Sequence, residues 1–133
     1  MRVAELMQRN VKSIRSEASV AEAILTLADA HVSGVPVVDG TGRMVGVLSS
    51  SDLLSAEAEV DDAVARQSLL ENTEVQEIMT RRPYTVAPTA DVREAAQQML
   101  YADVHRLFVI EGEAVVGVIS TTDIVRAVAR AQL

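Results

Sequence analysis

Apolar residues in this chain switch between two spacings. Val20, Ala23, Ile24 and Leu27 recur at helical period, and so do Val92, Ala95, Ala96 and Met99. Ser19 with Glu22, and Asp91 with Glu94, supply the N-cap and acidic third residue of a capping box, so each run predicts a helix with one buried face. Unbroken apolar runs follow at 35–38 and 44–48, joined by Asp39-Gly40-Thr41-Gly42, and at 107–110 and 114–119, joined by Glu111-Gly112-Glu113. These predict two tight hairpins whose strands are covered on both sheet faces. Shorter strands are expected near Lys12-Ser13-Ile14 and Tyr84-Thr85-Val86, each preceded by an apolar helical turn ending at Met7 or Met79. A last helix is expected to start at Asp52 and again at Asp123.

The pattern is written twice. A shift of 72 residues lays Val75-Gln76-Glu77-Ile78-Met79 on Val3-Ala4-Glu5-Leu6-Met7, and beyond the glycine turns the shift becomes 71. Each half reads strand, helix, strand, strand, helix, which makes an α/β (α+β) chain of two β-α-β-β-α repeats. The expected boundaries are 1–55 for the first repeat, 56–72 for an acidic connector and 73–133 for the second repeat. The connector lacks Gly and Pro and is rich in helix formers. It is expected to extend the helix that starts at Asp52, with Val60, Val64, Leu69 and Leu70 as an apolar stripe.

Candidate chemistry sits where the two halves match best. Gly46-Val47-Leu48-Ser49-Ser50-Ser51-Asp52 and Gly117-Val118-Ile119-Ser120-Thr121-Thr122-Asp123 each run from an apolar strand through hydroxyl residues into a helix start. Backbone N–H groups there attract an anion, hydroxyls add donors, and a carboxylate accepts from vicinal hydroxyls such as those of a ribose. One such heptad is also what an ordinary N-cap looks like. Two at matched positions point to a ligand.

Composition narrows the choice. With 49% hydrophobic residues but only three aromatics, Tyr84, Tyr101 and Phe108, the core must be aliphatic. The net charge of -7 argues against nucleic acid as a partner, because such binders present a basic face. A small nucleotide needs only a few local donors, and eleven of the twelve cations are arginines, which suit bidentate phosphate contact. Cysteine is absent, which removes thiol catalysis and disulfides. No apolar run approaches a membrane span, and the N-terminus lacks a signal-peptide layout, so no membrane partner and a cytoplasmic location are expected. No catalytic motif of the common hydrolase, kinase, dinucleotide or zinc-protease kinds occurs, and an enzyme is not expected. His31 has no partner at metal-ligand spacing, and neither a metal nor a cofactor is expected.

Over residues 1–131, apart from the connector, the chain resembles the tandem cystathionine-beta-synthase-type domain pair, the CBS pair or Bateman module. The resemblance rests on the two heptads, Met7 and Met79, the Gly34-Val35-Pro36-Val37-Val38-Asp39 run and its counterpart His105-Arg106-Leu107-Phe108-Val109-Ile110. Phe108 departs from the usual proline, and Ser49 and Ser120 replace the more frequent threonine. The resemblance implies two units packed through their sheets about a pseudo-twofold axis, with two clefts for adenosine derivatives. It assigns one cleft to Asp52, Ser49 and Ser51, with Tyr84 at the base and His105 and Arg106 at the phosphates. It assigns the other to Asp123, Ser120 and Thr122, with Lys12 at the base and Ser33 and Gly34 where the first has His and Arg. The clefts are unequal, and the Asp52 cleft, holding Arg106, is expected to prefer the more highly charged phosphate.

The function this implies is a stand-alone regulatory, energy-sensing module. It would bind AMP, ADP or ATP, pair as a homodimer through helix faces, and signal to an unidentified effector protein. Two alternatives are an assembly module whose nucleotide sites have lapsed and a binder of S-adenosylmethionine.

Overall fold

In a computed structural model, which describes residues 1–133, both repeats form in the expected order. The first runs β1 (Ile14–Arg15), α2 (Val20–Ala30), β2 (Gly34–Val38), β3 (Met44–Ser49) and α3 (Ser50–Ala58). The second runs β4 (Thr85–Val86), α5 (Val92–Ala102), β5 (Arg106–Glu111), β6 (Ala114–Ser120) and α6 (Thr121–Ala129). A short helix α1 (Val3–Leu6) precedes the first, and a 3-10 turn (Val75–Glu77) precedes the second. Each repeat makes one three-stranded sheet with β2 or β5 at its centre, parallel to the short strand and antiparallel to its hairpin partner. The central strands are covered on both faces, with Gly34 to Val37 and Leu107 to Val109 all buried. Phe108, the departure from proline, is buried opposite Val118.

Two compact units result, and each combines segments of both repeats. One consists of Lys12–Arg82, the other of Met1–Val11 with Pro83–Leu133. In the first, Val75 and Met79 join Ile14, Ala23, Leu27, Val35, Val37 and Leu48 in the core. In the second, Val3 and Met7 do the same among Ala95, Met99, Leu107, Val109 and Ile119. Backbone bonds fix these lead-in segments: Val3 N donates to Ala90 O at 2.9 Å, and Val75 N to Ala18 O at 2.8 Å. Arg9 and Arg81 lie at matched positions and donate to carbonyls of their own lead-in turns, Ala4 and Gln76.

Three local expectations shift. Helices α3 and α6 start at Ser50 and Thr121, two residues before the aspartates, because Ser49 and Ser120 are the N-caps and the aspartates close the capping boxes. Ser19 and Asp91 do cap α2 and α5, but Asp91 accepts from Arg93 N, and neither Glu22 nor Glu94 returns a bond. The connector is helical but broken. Helix α3 ends at Ala58, and α4 (Ala63–Asn72) restarts with Asp62 as N-cap, its carboxylate accepting from Ala65 N at 2.8 Å. A strong cap inside a polar stretch ends one helix and begins another. Of the expected stripe, Leu69 and Leu70 face α2 and α3, while Val64 is exposed. His31 ends α2 in the left-handed conformation (φ 54°), and Asp103 ends α5 likewise, so His31 has a structural role.

The first hairpin carries a pH-sensitive turn. The Thr41 hydroxyl donates to Asp39 at 2.6 Å, and the N–H groups of Thr41 and Arg43 donate at 2.9 and 3.1 Å. These bonds, the Thr41 hydroxyl first, hold the Asp39 carboxyl below its ordinary range. A depressed folded-state pKa gives stability that is present above the unfolded value and lost as pH falls through the folded one. Thermal melts from neutral pH into acid should therefore show Asp39→Asn closing its gap to the parent protein below about pH 4.

Candidate functional site

Each heptad builds the same local structure. In the first, the Ser49 hydroxyl accepts from Asp52 N at 3.3 Å, while Asp52 Oδ2 accepts from Ser49 N at 2.9 Å. In the second, Ser120 Oγ accepts from Asp123 N at 3.2 Å and Asp123 Oδ2 accepts from Ser120 N at 2.9 Å. Capping therefore occupies one carboxylate oxygen and leaves the other, Oδ1, aimed elsewhere. A structural and a ligand-binding role fit on one side chain.

What Oδ1 meets depends on a residue that sequence reasoning missed. Thr80 lies alongside β3, with Val47 N and Thr80 N donating reciprocally to the partner carbonyls at 2.9 Å, and its hydroxyl donates to Asp52 Oδ1 at 3.1 Å. Gln8 pairs in the same way with Val118 on β6, at 2.8 and 3.0 Å, and its side-chain Nε2 donates to Asp123 Oδ1 at 3.2 Å. The heptad glycines allow this approach. A Cβ on Gly46 would stand 2.7 Å from the Thr80 carbonyl oxygen, and one on Gly117 would stand 2.9 Å from that of Gln8. The available signal was the residue directly after Met7 and Met79, at matched positions in the two lead-in turns.

The expected site residues divide between the units. In the Lys12–Arg82 unit, Ser33 and Gly34 adjoin the helix start: Ser50 N donates to Ser33 O at 2.8 Å, and Gly34 pairs with Ser49. Ser49 and Asp52 there are half-buried, and Ser51 and Lys12 are exposed. In the other unit, Thr121 N donates to His105 O at 2.9 Å and Arg106 pairs with Ser120. Thr122, His105 and Tyr84 are exposed, whereas Asp123 is buried. Arg126 Nη1 lies 3.5 Å from Asp123 Oδ1.

Both units also present apolar helix faces. A groove of about 260 Å3 between α5 and α6 is lined by Ala96, Met99, Leu100, Val104, Ile124 and Val125 among others. Leu100, Tyr101 and Val125 project from those helices into solvent. The corresponding groove on α2 and α3 has Leu69 and Leu70 of α4 as one wall. No helix is long and apolar enough to cross a membrane.

Comparison with known proteins agrees with this architecture. The family model of the CBS domain matches residues 3–59 and 75–130. The Methanocaldococcus jannaschii protein MJ1225 is 26% identical over 124 residues, covering 93% of this chain and 41% of that protein, so the chain spans less than half of that relative. The crystal structure of Arabidopsis thaliana CBSX2 in complex with AMP is 27% identical, with a TM-score of 0.82 over 99% of this chain and 98% of that one. The CBS domain pair of protein MJ0100, in complex with 5'-methylthioadenosine and S-adenosyl-L-methionine, is 25% identical, with a TM-score of 0.79 over 96% and 99%.

Proposed function

The chain belongs to the CBS domain family and holds two such domains, and from that premise we propose that it is a regulatory module for an adenosine nucleotide, AMP, ADP or ATP. The observation that carries this reading is the divided carboxylate: in both heptads Oδ2 closes the helix cap while Oδ1 turns to a side-chain donor. A ribose diol is a donor of the same kind. The bound state of the CBSX2 structure, an AMP complex, supports the same ligand class.

In this reading Asp52 accepts from the ribose with Ser49 and Ser51 beside it, Tyr84 lines the base, and His105 and Arg106 meet the phosphates. Asp123 with Ser120, Thr122, Lys12, Ser33 and Gly34 forms the second site. Ligand favours one conformation of the chain over another, and an effector protein reads the difference, which makes the module a sensor of cellular energy state. Calorimetric titration of AMP, ADP, ATP and S-adenosylmethionine tests it. Binding of one nucleotide, weakened about tenfold or more in Arg106→Ala, supports phosphate recognition. No heat with any of the four sinks the reading.

The MJ0100 structure favours one alternative ligand, S-adenosylmethionine, which has the ribose but no phosphate. It predicts that Arg106→Ala leaves affinity intact.

The exposed α5 and α6 face is assigned in this proposal to a second copy of the chain. Leu100 is 84% exposed, and Val125 is 65% exposed beside it. Leu100→Glu should therefore convert a dimer to a monomer, read by light scattering after size exclusion. An unchanged mass would remove this face from the assembly.

A further inference from the structure

The two carboxylates are not equally available. At Asp52 the donors are the Ser49 N–H and two hydroxyls, Ser49 Oγ at 3.1 Å and Thr80 Oγ1 at 3.1 Å. A hydroxyl can turn its hydrogen aside and accept instead, so Oδ1 can be yielded to an incoming sugar at small cost. At Asp123 the corresponding donors are of another kind. Gln8 supplies an amide nitrogen, which can only donate, and Arg126 adds a guanidinium whose charge opposes the carboxylate. Asp123 is only 7% exposed.

The repeat shows that this difference lies in two positions. Thr80 is the counterpart of Gln8 at the 72-residue shift, and Ser55 is the counterpart of Arg126 at the 71-residue shift. The two capping-box bonds that involve a backbone N–H are matched in both caps. Beside Asp123, Gln8, Arg126, Arg130, Glu5 and Gln132 also line a polar hollow of about 240 Å3. The Arg126 side chain is 47% exposed there, so it has room to swing away.

We infer that Gln8 and Arg126 form a latch over Asp123, so that this chain takes one ribose-bearing ligand at Asp52 and holds its second site closed. The inference rests on the ribose role proposed above for the two aspartates. A buried carboxylate already bonded to a cation must give up that bond before a diol can replace it, whereas the hydroxyl-bonded Asp52 exchanges one neutral donor for another. Opening the second site thus requires displacement of Arg126, by a competing anion or by the ligand itself at higher concentration.

The test is the stoichiometry of AMP binding by calorimetry. Wild-type protein should bind one AMP per chain, and Asp52→Asn should weaken that event roughly ten- to a hundredfold. The double variant Gln8→Thr/Arg126→Ser carries the residues found at the corresponding positions beside Asp52, Thr80 and Ser55, and it should bind a second AMP that is lost again when Asp123→Asn is added. A circular dichroism melt of the double variant confirms that its fold is intact. Two sites of affinity within about threefold in wild type overturn the latch. So does a single wild-type site whose affinity is unchanged in Asp52→Asn, or a folded double variant that still binds only one. If neither wild type nor the double variant binds AMP, ADP or ATP, the ribose reading itself fails, and that result is distinct from the others.

Discussion

Gly46→Ala should destabilise the protein by about 3 kcal/mol and lower its melting temperature by roughly 10 °C. Gly46 faces the lead-in segment at the point where β3 exchanges two backbone bonds with Thr80. A Cβ placed on it would meet Met79 Sδ at 2.6 Å and the Thr80 carbonyl oxygen at 2.7 Å. The methionine can turn away, because a thioether on three rotatable bonds adapts readily. The carbonyl is fixed by its own bond from Val47 N, so the lead-in segment must part from β3. That separation also draws the Thr80 hydroxyl from Asp52. A control separates crowding from backbone preference. Gly42 has φ 86°, and a Cβ added there would meet nothing within 4 Å, so Gly42→Ala suffers only left-handed strain, about 1 kcal/mol. Equal losses in the two variants, measured by urea unfolding, would show that close packing at Gly46 is not the reason for the glycine.

The glycine also marks the limit of what is legible in the sequence. Elements are readable because local chemistry defines them. Period 3.6 in Val20 to Leu27, the apolar run of β2 and the Asp39 to Gly42 turn each signal their own conformation without help from elsewhere. The repeat then implies the fold, since a hydrophobic pattern written twice must be buried twice. The helix starts lie two residues earlier than expected because an aspartate at the third position and a serine at the cap are equally at home in a capping box. The break between α3 and α4 is hidden because Glu59, Val60 and Asp61 are all compatible with helix, and only the geometry at Asp62 decides.

Long-range pairing is the least legible feature. Nothing local to Gln8 or Thr80 announces that each lies against a hairpin strand, 110 or 33 positions away at Val118 and Val47. The fact becomes visible only when the grouping of Met1–Val11 with Pro83–Leu133 is known. Two of the chain's polar positions thereby acquire a role at the carboxylates that composition and motif spacing do not disclose. Arg126 is inconspicuous for a related reason: one turn after an aspartate, an arginine reads as ordinary helix pairing, and its difference from Ser55 matters only once the two sites are superposed.

Asp52→Asn and Asp52→Ala should part company, and the manner of their parting decides between a cap and a ligand site. Asp52 performs two tasks with two oxygens: Oδ2 accepts from Ser49 N at 2.9 Å, and Oδ1 accepts from Thr80 at 3.1 Å. Asparagine keeps an oxygen for the capping bond but surrenders the charge, so its melting temperature should stay close to wild type. Alanine also removes the oxygen that closes the capping box, although Ser49 stays as N-cap, and should cost about 1 kcal/mol of stability. Affinity for the adenosine nucleotide should respond differently. Hydrogen bonds from ribose hydroxyls to an ionised carboxylate contribute about 1.5–3 kcal/mol, so both variants should bind roughly ten- to a hundredfold more weakly. Stability and affinity thus separate in Asn and fall together in Ala. If Asn instead retains wild-type affinity while Ala alone loses it, the carboxylate charge is not engaged by ligand. The loss in Ala then follows from the opened capping box at the start of α3, and Asp52 closes that box and does nothing more.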